Sequence, residues 1–168
     1  MAIELQFYHV DTDYIKYLDP FQPHMWTNEE KGRKRPYIGL VLEIEGFKYY
    51  APMSSPKPKH ETIPEGLDLK KIVYKDELTG VININNIIPV KDTEIQLVDM
   101  DQLLIDDPKY CDLLDNQILV IRKRQEEITR DANLLYKIKA QNRKGHFGLK
   151  KRSYDFKLLE KKCEEYYK

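Results

Sequence analysis

The segment Ser54-Ser55-Pro56-Lys57, followed by His60, carries the side chains in this sequence best suited to chemistry on a phosphate. Hydroxyls and the backbone N–H groups of a turn can hold phosphate oxygens, and a lysine can offset the charge that develops on a pentacovalent phosphorane. His60 adds a group that titrates near neutral pH. These residue types fit a phosphate-binding catalytic loop, but by themselves they are more typical of an ordinary surface loop stiffened by proline.

Two basic segments could bind a polyanion, and neither contains an acidic residue. The stretch from Asp92 to Asp115 is strongly acidic instead, with eight acidic residues and one basic residue. Aromatic side chains accompany the basic segments at Tyr37 and Phe147, and RNA needs both cations for its phosphates and flat partners for its bases. We therefore favour an RNA-binding surface over two merely solvated faces. The basic residues are Lys31, Arg33, Lys34 and Arg35 in the first segment, and Arg143, Lys144, Lys150, Lys151 and Arg152 in the second.

The length and composition of the chain limit its number of domains, its possible partners and its association with membranes. The chain has 168 residues, the size of one domain. Basic and acidic residues balance at 28 each, so the net charge excludes no partner. No run approaches the roughly 18 uncharged apolar residues of a membrane span, and charges begin early in the N-terminal segment. We expect a single domain over residues 1–168, located in the cytoplasm and not associated with a membrane.

Sequence patterns for cofactor, metal and disulfide sites are missing. Neither GxxxxGK[ST] nor GxGxxG occurs, so nucleotide triphosphates and dinucleotides have no visible binding loop. His60-Glu61 begins like a zinc-binding helix, but no second histidine follows four residues later. Cys111 and Cys163 lie far apart in polar contexts, which favours reduced thiols. We expect no cofactor and no metal.

The hydrophobic periodicity predicts strands first and helices afterwards, which is typical of an α+β domain. Residues 20–35 are predicted to be a long loop, Glu45-Gly46 to be a hairpin turn, and Pro52 to end the hairpin ladder. Asp107-Pro108 predicts a helix start, and the helix continues to about residue 138 unbroken or with a break near residues 129–131. The predicted strands are 3–10, 37–44, 47–51, 70–74, 80–84, 87–90 and, at an edge, 94–98; further helices are predicted from Asp11 and over 155–167.

Four segments of the chain form a recognisable set: YIKYL at 14–18, PYIGLVLEI at 36–44, KYYAPMSSPK at 48–57 and DFKLLEKK at 155–162. They resemble the ToxN/AbiQ family, toxins of type III toxin–antitoxin systems, and they occur in the family's order over nearly the whole chain. The resemblance implies a metal-independent, sequence-selective endoribonuclease that cleaves cellular or phage mRNA. It also implies inhibition by a small repeated pseudoknot RNA in a closed complex, and a role in abortive phage infection or plasmid maintenance. The implied fold is a compact twisted antiparallel sheet or partial barrel, similar to the MazF and Kid toxins, with a long helix and a C-terminal helix.

The resemblance also implies roles for single residues. Ser55 matches the family's active-site serine, Ser54 takes a place usually held by threonine or serine, and Lys57 matches the motif lysine. Tyr14 matches a tyrosine that faces RNA. Arg35 falls where the family can have lysine, and we expect it to anchor phosphate and not to act as a general acid, because guanidinium hardly deprotonates. A further RNA-facing tyrosine has no clear match; Trp26 is the only large aromatic residue near that position.

These roles suggest a mechanism in which the 2′-hydroxyl attacks the adjacent phosphorus and leaves 2′,3′-cyclic phosphate and 5′-hydroxyl ends. Ser54 and Ser55 would position the phosphate, Lys57 and Arg35 would stabilise its charge, and His60 is a candidate for proton transfer, although a lone histidine is often structural. A non-catalytic RNA-binding module remains the main alternative. A MazF-type toxin with a protein antitoxin and a scaffold that uses the helical half are the others.

Overall fold

The computed structural model describes residues 4–167. An antiparallel sheet occupies the first half of the chain and helices follow, which confirms the predicted α+β class. The strands are β1 (Gln6–Val10), β2 (Glu29–Glu30), β3 (Arg33–Lys34), β4 (Tyr37–Ile44), β5 (Phe47–Ser54), β6 (Leu69–Tyr74), β7 (Glu77–Asn83), β8 (Ile88–Pro89) and β9 (Ile95–Leu97). The helices are α1 (Thr12–Leu18), α2 (Met100–Asp106), α3 (Pro108–Lys123), α4 (Gln125–Ala140), α5 (Phe147–Arg152) and α6 (Phe156–Glu165).

The main sheet has the strand order β6-β7-β5-β4-β1-β9, with β8 paired to β5 outside this row. Every pairing in it is antiparallel. The sheet is open, since β6 and β9 end the row and do not pair with each other. Strands β4 and β5 therefore lie at the centre, where both faces are covered, and this explains their nearly continuous apolar sequences.

The β4–β5 hairpin forms where the sequence predicts it, around Glu45 and Gly46 in the left-handed backbone region. The predicted end of β5 at Pro52 is wrong, because the strand continues to Ser54. The Met53 N–H donates to the Pro36 carbonyl (3.0 Å), and Met53 and Ser54 pair with β7. The last residues of β5 thus gain a new partner strand beyond the proline, and Ser54 lies in the sheet and not in a loop.

Residues 20–35 contain more structure than the predicted long loop. A short 3-10 turn covers Asp19–Phe21, and β2 and β3 form a two-stranded hairpin. Its turn residues Lys31 and Gly32 both have positive φ, as a tight two-residue hairpin turn requires. The Arg35 N–H donates to the Asn28 carbonyl (2.9 Å) at the base of the hairpin. This small element carries part of the candidate site.

The helical half packs its apolar stripe onto the sheet. Leu114, Ile121, Ile128 and Leu135 are all buried, on the faces of α3 and α4 that contact β6, β7 and β4. The break between the two helices lies at Arg124, earlier than the predicted alternative near residues 129–131, and α2 was not predicted. Within residues 4–167, no helix is both long enough and apolar enough to cross a membrane.

Candidate active site and RNA interface

The Ser-Ser-Pro-Lys motif lies at the end of β5 and in the turn that follows. Ser54 is the last residue of the strand and only 4% exposed, and its hydroxyl accepts a hydrogen bond from Asn83 Nδ2 (3.2 Å). Ser55 is half-buried and Lys57 is exposed. The prediction that the Ser54 side chain holds a phosphate is therefore corrected: that hydroxyl links β5 to β7, and Ser55 and Lys57 are the accessible members of the motif.

The half-buried carboxylate of Glu30 receives the polar groups of Ser55. The Ser55 N–H donates to both carboxylate oxygens (3.0 and 3.2 Å), and its hydroxyl donates to Oε1 (3.1 Å). Arg35 Nη1 donates to Oε2 at 3.3 Å. Sequence reasoning missed Glu30 because it placed residues 20–35 in a loop. The signal that could have revealed it is Lys31-Gly32, a pair suited to the positive φ values of a hairpin turn.

Arg35 supports this arrangement from the interior. Its side chain is 4% exposed; Nε donates to the Thr27 carbonyl (2.7 Å) and Nη1 to the Met53 carbonyl (2.8 Å). A buried guanidinium requires such partners, because an unpaired charge inside a protein is strongly destabilising. The expected direct anchoring of phosphate by Arg35 is therefore corrected. This side chain joins β5 to the β2–β3 hairpin and orients Glu30.

His60 holds the turn after the motif. Its ring Nδ1 accepts the Lys57 N–H (2.8 Å), while the His60 backbone N–H donates to the Lys57 carbonyl (2.8 Å). Burial, together with the nearby Lys59 and Lys57 charges, lowers the pKa of the imidazole. The side chain is a buried ring with one nitrogen already engaged. This geometry favours the structural role over the predicted proton transfer.

Trp26 connects the motif to two clefts. The Lys57 ammonium lies 5.8 Å from the centroid of the half-buried indole, and the Arg35 guanidinium lies 4.6 Å from it. Trp26 Nε1 donates to Asn86 Oδ1 (2.7 Å), and the Trp26 N–H donates to the Tyr154 hydroxyl (3.0 Å). These hydrogen bonds fix the ring on the rim of both clefts.

The hairpin cleft lies between α1 and the β2–β3 hairpin and measures about 600 Å³. The α5 cleft, about 780 Å³, lies between the turn after α1 and the junction of α5 with α6. Trp26 lines both. The structure therefore brings the two basic segments to neighbouring clefts that meet at Trp26. The hairpin cleft is lined by Lys16, Arg33 and Lys34, and the α5 cleft by Lys139, Lys151 and Arg152.

Comparison with known proteins identifies the chain's relatives. The sequence model of the ToxN toxin, a member of type III toxin–antitoxin systems, matches residues 6–164. The chain belongs to the ToxN toxin family. Endoribonuclease ToxN of Bacillus thuringiensis subsp. kurstaki is 29% identical over 164 residues, which are 96% of this chain and 84% of the relative. The chain is thus a member of a family of endoribonuclease toxins, as the sequence resemblance implied.

Solved structures of the ToxN family share the fold. A type III toxin described as selectively inhibited by a non-coding RNA pseudoknot matches with a TM-score of 0.84 and 29% identity over 98% of both chains. AbiQ, described as a lactococcal anti-phage endoribonuclease of a type III system, matches with a TM-score of 0.84 and 26% identity, again over 98% of both. The sheet and its helices are therefore the ToxN arrangement.

Two tyrosines expected at the RNA surface of this ToxN family member are core residues. Tyr14 is fully buried, and its hydroxyl donates to the Pro89 carbonyl (2.6 Å). Tyr37 is 1% exposed in β4. Burial raises the pKa of both phenols. The RNA-facing role predicted for each is corrected: α1 turns Tyr14 inward beside Ile15 and Leu18, and β4 is covered on both faces.

The remaining basic residues differ in how far their side chains are exposed and in whether they are paired. Arg143, Lys144, Lys151 and Arg152 are exposed, whereas Lys150 Nζ turns back to Asn142 Oδ1 (3.1 Å). Arg33 pairs with Asp107 (2.8 Å) and Arg152 with Asp68 (3.0 Å). Exposed pairs of this kind contribute little stability, so phosphates can compete for these cations.

Among residues 4–167, no group of three or more His, Cys, Asp or Glu side chains could hold a metal ion.

Proposed function

We propose that this chain is a metal-independent, sequence-selective endoribonuclease toxin, organised as one domain over residues 1–168. It cleaves cellular or phage mRNA in the cytoplasm and serves abortive phage infection or plasmid maintenance. The observation that carries the proposal is the position of Trp26: Lys57 lies over its ring, and two clefts lined by basic side chains meet at it. A single strand that stacks a base on Trp26 would have its phosphates among cations on either side.

The chemistry is attack of the 2′-hydroxyl on the adjacent phosphorus. The O2′–P bond forms and the P–O5′ bond breaks, which leaves a 2′,3′-cyclic phosphate and a 5′-hydroxyl end. Ser55, whose hydroxyl donates to Glu30 in this structure, turns that hydroxyl to a phosphate oxygen when RNA binds, and Lys57 offsets the charge that builds up on the phosphorane. Ser54, Arg35 and His60 act indirectly, through the backbone and the side chains that they hold in place.

Inhibition uses the same surface. A repeated pseudoknot RNA would place its phosphates against the exposed residues of both basic segments and cover Trp26, and toxin and RNA would assemble into a closed complex. Relatives named endoribonucleases, and a solved type III toxin described as inhibited by an RNA pseudoknot, support this proposal. RNA affinity should fall with salt, because each phosphate contact releases counterions.

Cleavage of RNA by the purified protein in EDTA, with mapping of the product ends, tests the proposal. Ser55→Ala and Lys57→Ala should each lower the single-turnover rate by about 10²–10³, the loss typical of a removed oxyanion donor. Lys75→Ala is the matched control, since Lys75 is exposed and lies over Tyr74 at 5.4 Å, as Lys57 lies over Trp26. Wild-type rates in both motif variants, or cleavage only with a divalent metal, would contradict the proposal.

A non-catalytic RNA-binding module is the second candidate, because the two basic clefts would serve it equally well. It predicts tight RNA binding with no cyclic phosphate ends in the same assay. The scaffold alternative lacks support, since the apolar stripe from Leu114 to Ile138 is buried against the sheet. A search for tandem RNA repeats beside the coding sequence distinguishes the proposed RNA antitoxin from a protein antitoxin.

A further inference from the structure

The candidate site contains a carboxylate for which the mechanism above has no role. Cleavage by 2′-hydroxyl attack requires a group that takes the hydroxyl proton. We propose that Glu30 is this general base, with Arg35 as the residue that positions it. The inference rests on the proposed function, because it assigns a step of the same reaction.

The geometry around Glu30 is that of a base facing a hydroxyl. Ser55 Oγ lies 3.1 Å from Glu30 Oε1 and already donates to it. A general base must be within about 2.6–3.2 Å of the atom that gives up the proton. A ribose 2′-hydroxyl that replaced the Ser55 hydroxyl at this carboxylate would meet that requirement, while Ser55 turned its hydroxyl to a phosphate oxygen.

Arg35 holds the Glu30 carboxylate in place, and the Glu30 side chain is partly exposed to solvent. Arg35 Nη1 donates to Oε2 (3.3 Å) from a guanidinium that is itself fixed on the Thr27 and Met53 carbonyls. The Glu30 side chain is 23% exposed, against 4% for Arg35. The arginine therefore holds one carboxylate oxygen from the interior side. Part of the Glu30 side chain stays in contact with solvent beside a pocket of about 30 Å³, so a ribose reaches this carboxylate only when Ser55 moves aside.

The other candidates for the base are less suitable. His60 is 5% exposed, and its Nδ1 is occupied by the Lys57 N–H. Arg35 cannot release a proton at physiological pH. Asp107 is paired with Arg33 (2.8 Å) and accepts the Tyr110 N–H at the start of α3. Of the carboxylates in the described part of the chain, Glu30 is the one that hydrogen-bonds to the motif serine.

The step balances with groups of this chain and water. The proton of O2′ passes to a Glu30 carboxylate oxygen as the O2′–P bond forms. The P–O5′ bond then breaks, and the leaving O5′ takes a proton from the Lys57 ammonium. Exchange with water returns both groups to their starting states.

The other charged or titratable groups that face Glu30 are Arg35 from the β3–β4 junction and Tyr110 from α3, with Arg33 over the Tyr110 ring at 4.4 Å.

Glu30→Gln tests the inference, because the amide keeps the size of the side chain and one acceptor for Ser55. We expect the single-turnover rate at neutral pH to fall by about 10²–10⁴, the usual worth of a general base. The decrease of the rate toward acidic pH should disappear, whereas RNA affinity should be equal or higher, because a negative charge is lost. Glu30→Asp should retain the acidic decrease at an intermediate rate. A structural role alone would not change the shape of the pH profile.

Glu61→Gln is the matched control, since Glu61 is exposed in the turn after the motif and loses the same charge. It should keep the wild-type rate and pH profile. If Glu30→Gln also keeps both, or loses activity only through weaker RNA binding, the inference is overturned. A wild-type protein that cleaves no RNA would instead overturn the proposed function, so the two failures are distinguishable. Should Glu30→Gln not fold, the pH profile of Glu30→Asp decides: a decrease at acidic pH unchanged from wild type, with unchanged rate, overturns the assignment.

Discussion

Residues 31–35 and 143–152 are both rich in arginine and lysine, yet the fold uses them differently. The first segment ends in Arg35, whose buried guanidinium joins the β2–β3 hairpin to β5 and orients Glu30. The second surrounds Phe147, which is 80% exposed on the short helix α5. Basic residues therefore occupy two kinds of environment here: Arg35 lies inside a hydrogen-bonded network at the candidate site, whereas the exposed cations of the second segment are available for the proposed contacts with RNA.

Removing one arginine from each segment tests whether the two segments contribute differently to stability. Arg35→Ala should lower the free energy of unfolding by about 2–4 kcal/mol, because it removes the guanidinium donor from two carbonyls and the positive partner of a half-buried carboxylate, which then keeps only its Ser55 donors. Arg143→Ala should change it by less than about 0.5 kcal/mol, as is usual at exposed sites. Urea unfolding of both variants measures the difference. Equal effects would mean that the two segments are not used differently.

The exposed ring of Phe147 tests the capture surface. Lys150 Nζ lies 5.3 Å from its centroid, and base–aromatic stacking contributes roughly 1–3 kcal/mol. Phe147→Ala should therefore weaken binding of the proposed RNA antitoxin by about 5- to 150-fold, with no loss of thermal stability.

Tyr167→Ala is the matched control for Phe147→Ala, because Tyr167 is 86% exposed with Lys91 at 5.3 Å from its ring, beside acidic residues. It should leave RNA binding unchanged in the same titration. Equal losses in the two variants would show that exposed aromatic rings act without regard to the surrounding charge.

A smaller effect is expected from the charges before α5. The double variant Arg143→Ala, Lys144→Ala removes two exposed cations, each worth about 0.7 in the slope of log affinity against log salt for a single strand. Titrations of RNA at several salt concentrations should show the slope reduced by roughly 1.4 if both cations contact phosphate. An unchanged slope would place the RNA elsewhere on the surface.

The smallest expected effect concerns the pH dependence of stability. Burial lowers the pKa of His60 below its ordinary value, so the unfolded chain binds a proton more readily than the folded chain does. Stability is then fully present above about pH 6.5 and falls as the pH drops through that value toward the lowered pKa. His60→Asn, which can still accept the Lys57 N–H, should reduce this acid loss in urea unfolding at pH 7.5 and 5.5. His146→Asn, in the exposed segment, should behave like wild type; no difference between the two variants would contradict the expectation.

Local patterns predicted much of the fold. The apolar runs of β4 and β5, the Glu45-Gly46 turn and the start of α3 at Asp107-Pro108 depend on nearby residues alone, and the structure confirms them. The β2–β3 hairpin was missed because its strands have two residues each, too few for a periodic pattern. The break between α3 and α4 lies at Arg124 and not near residues 129–131, and the contact of the Arg124 guanidinium with Glu65, 59 residues away, is one that no local pattern reveals.

The sequence by itself determined the α+β order, the two basic segments, the Ser-Ser-Pro-Lys motif and, through the resemblance that the comparisons confirmed, the ToxN family. Only the tertiary structure decided which motif residues are accessible. It buried Ser54, Arg35, His60, Tyr14 and Tyr37, and it brought Glu30 to Ser55 across 25 positions of the chain. The physical reason is that exposure and hydrogen-bond partners depend on how distant strands pair, and side chains of the same type are equivalent in a sequence until that pairing separates them.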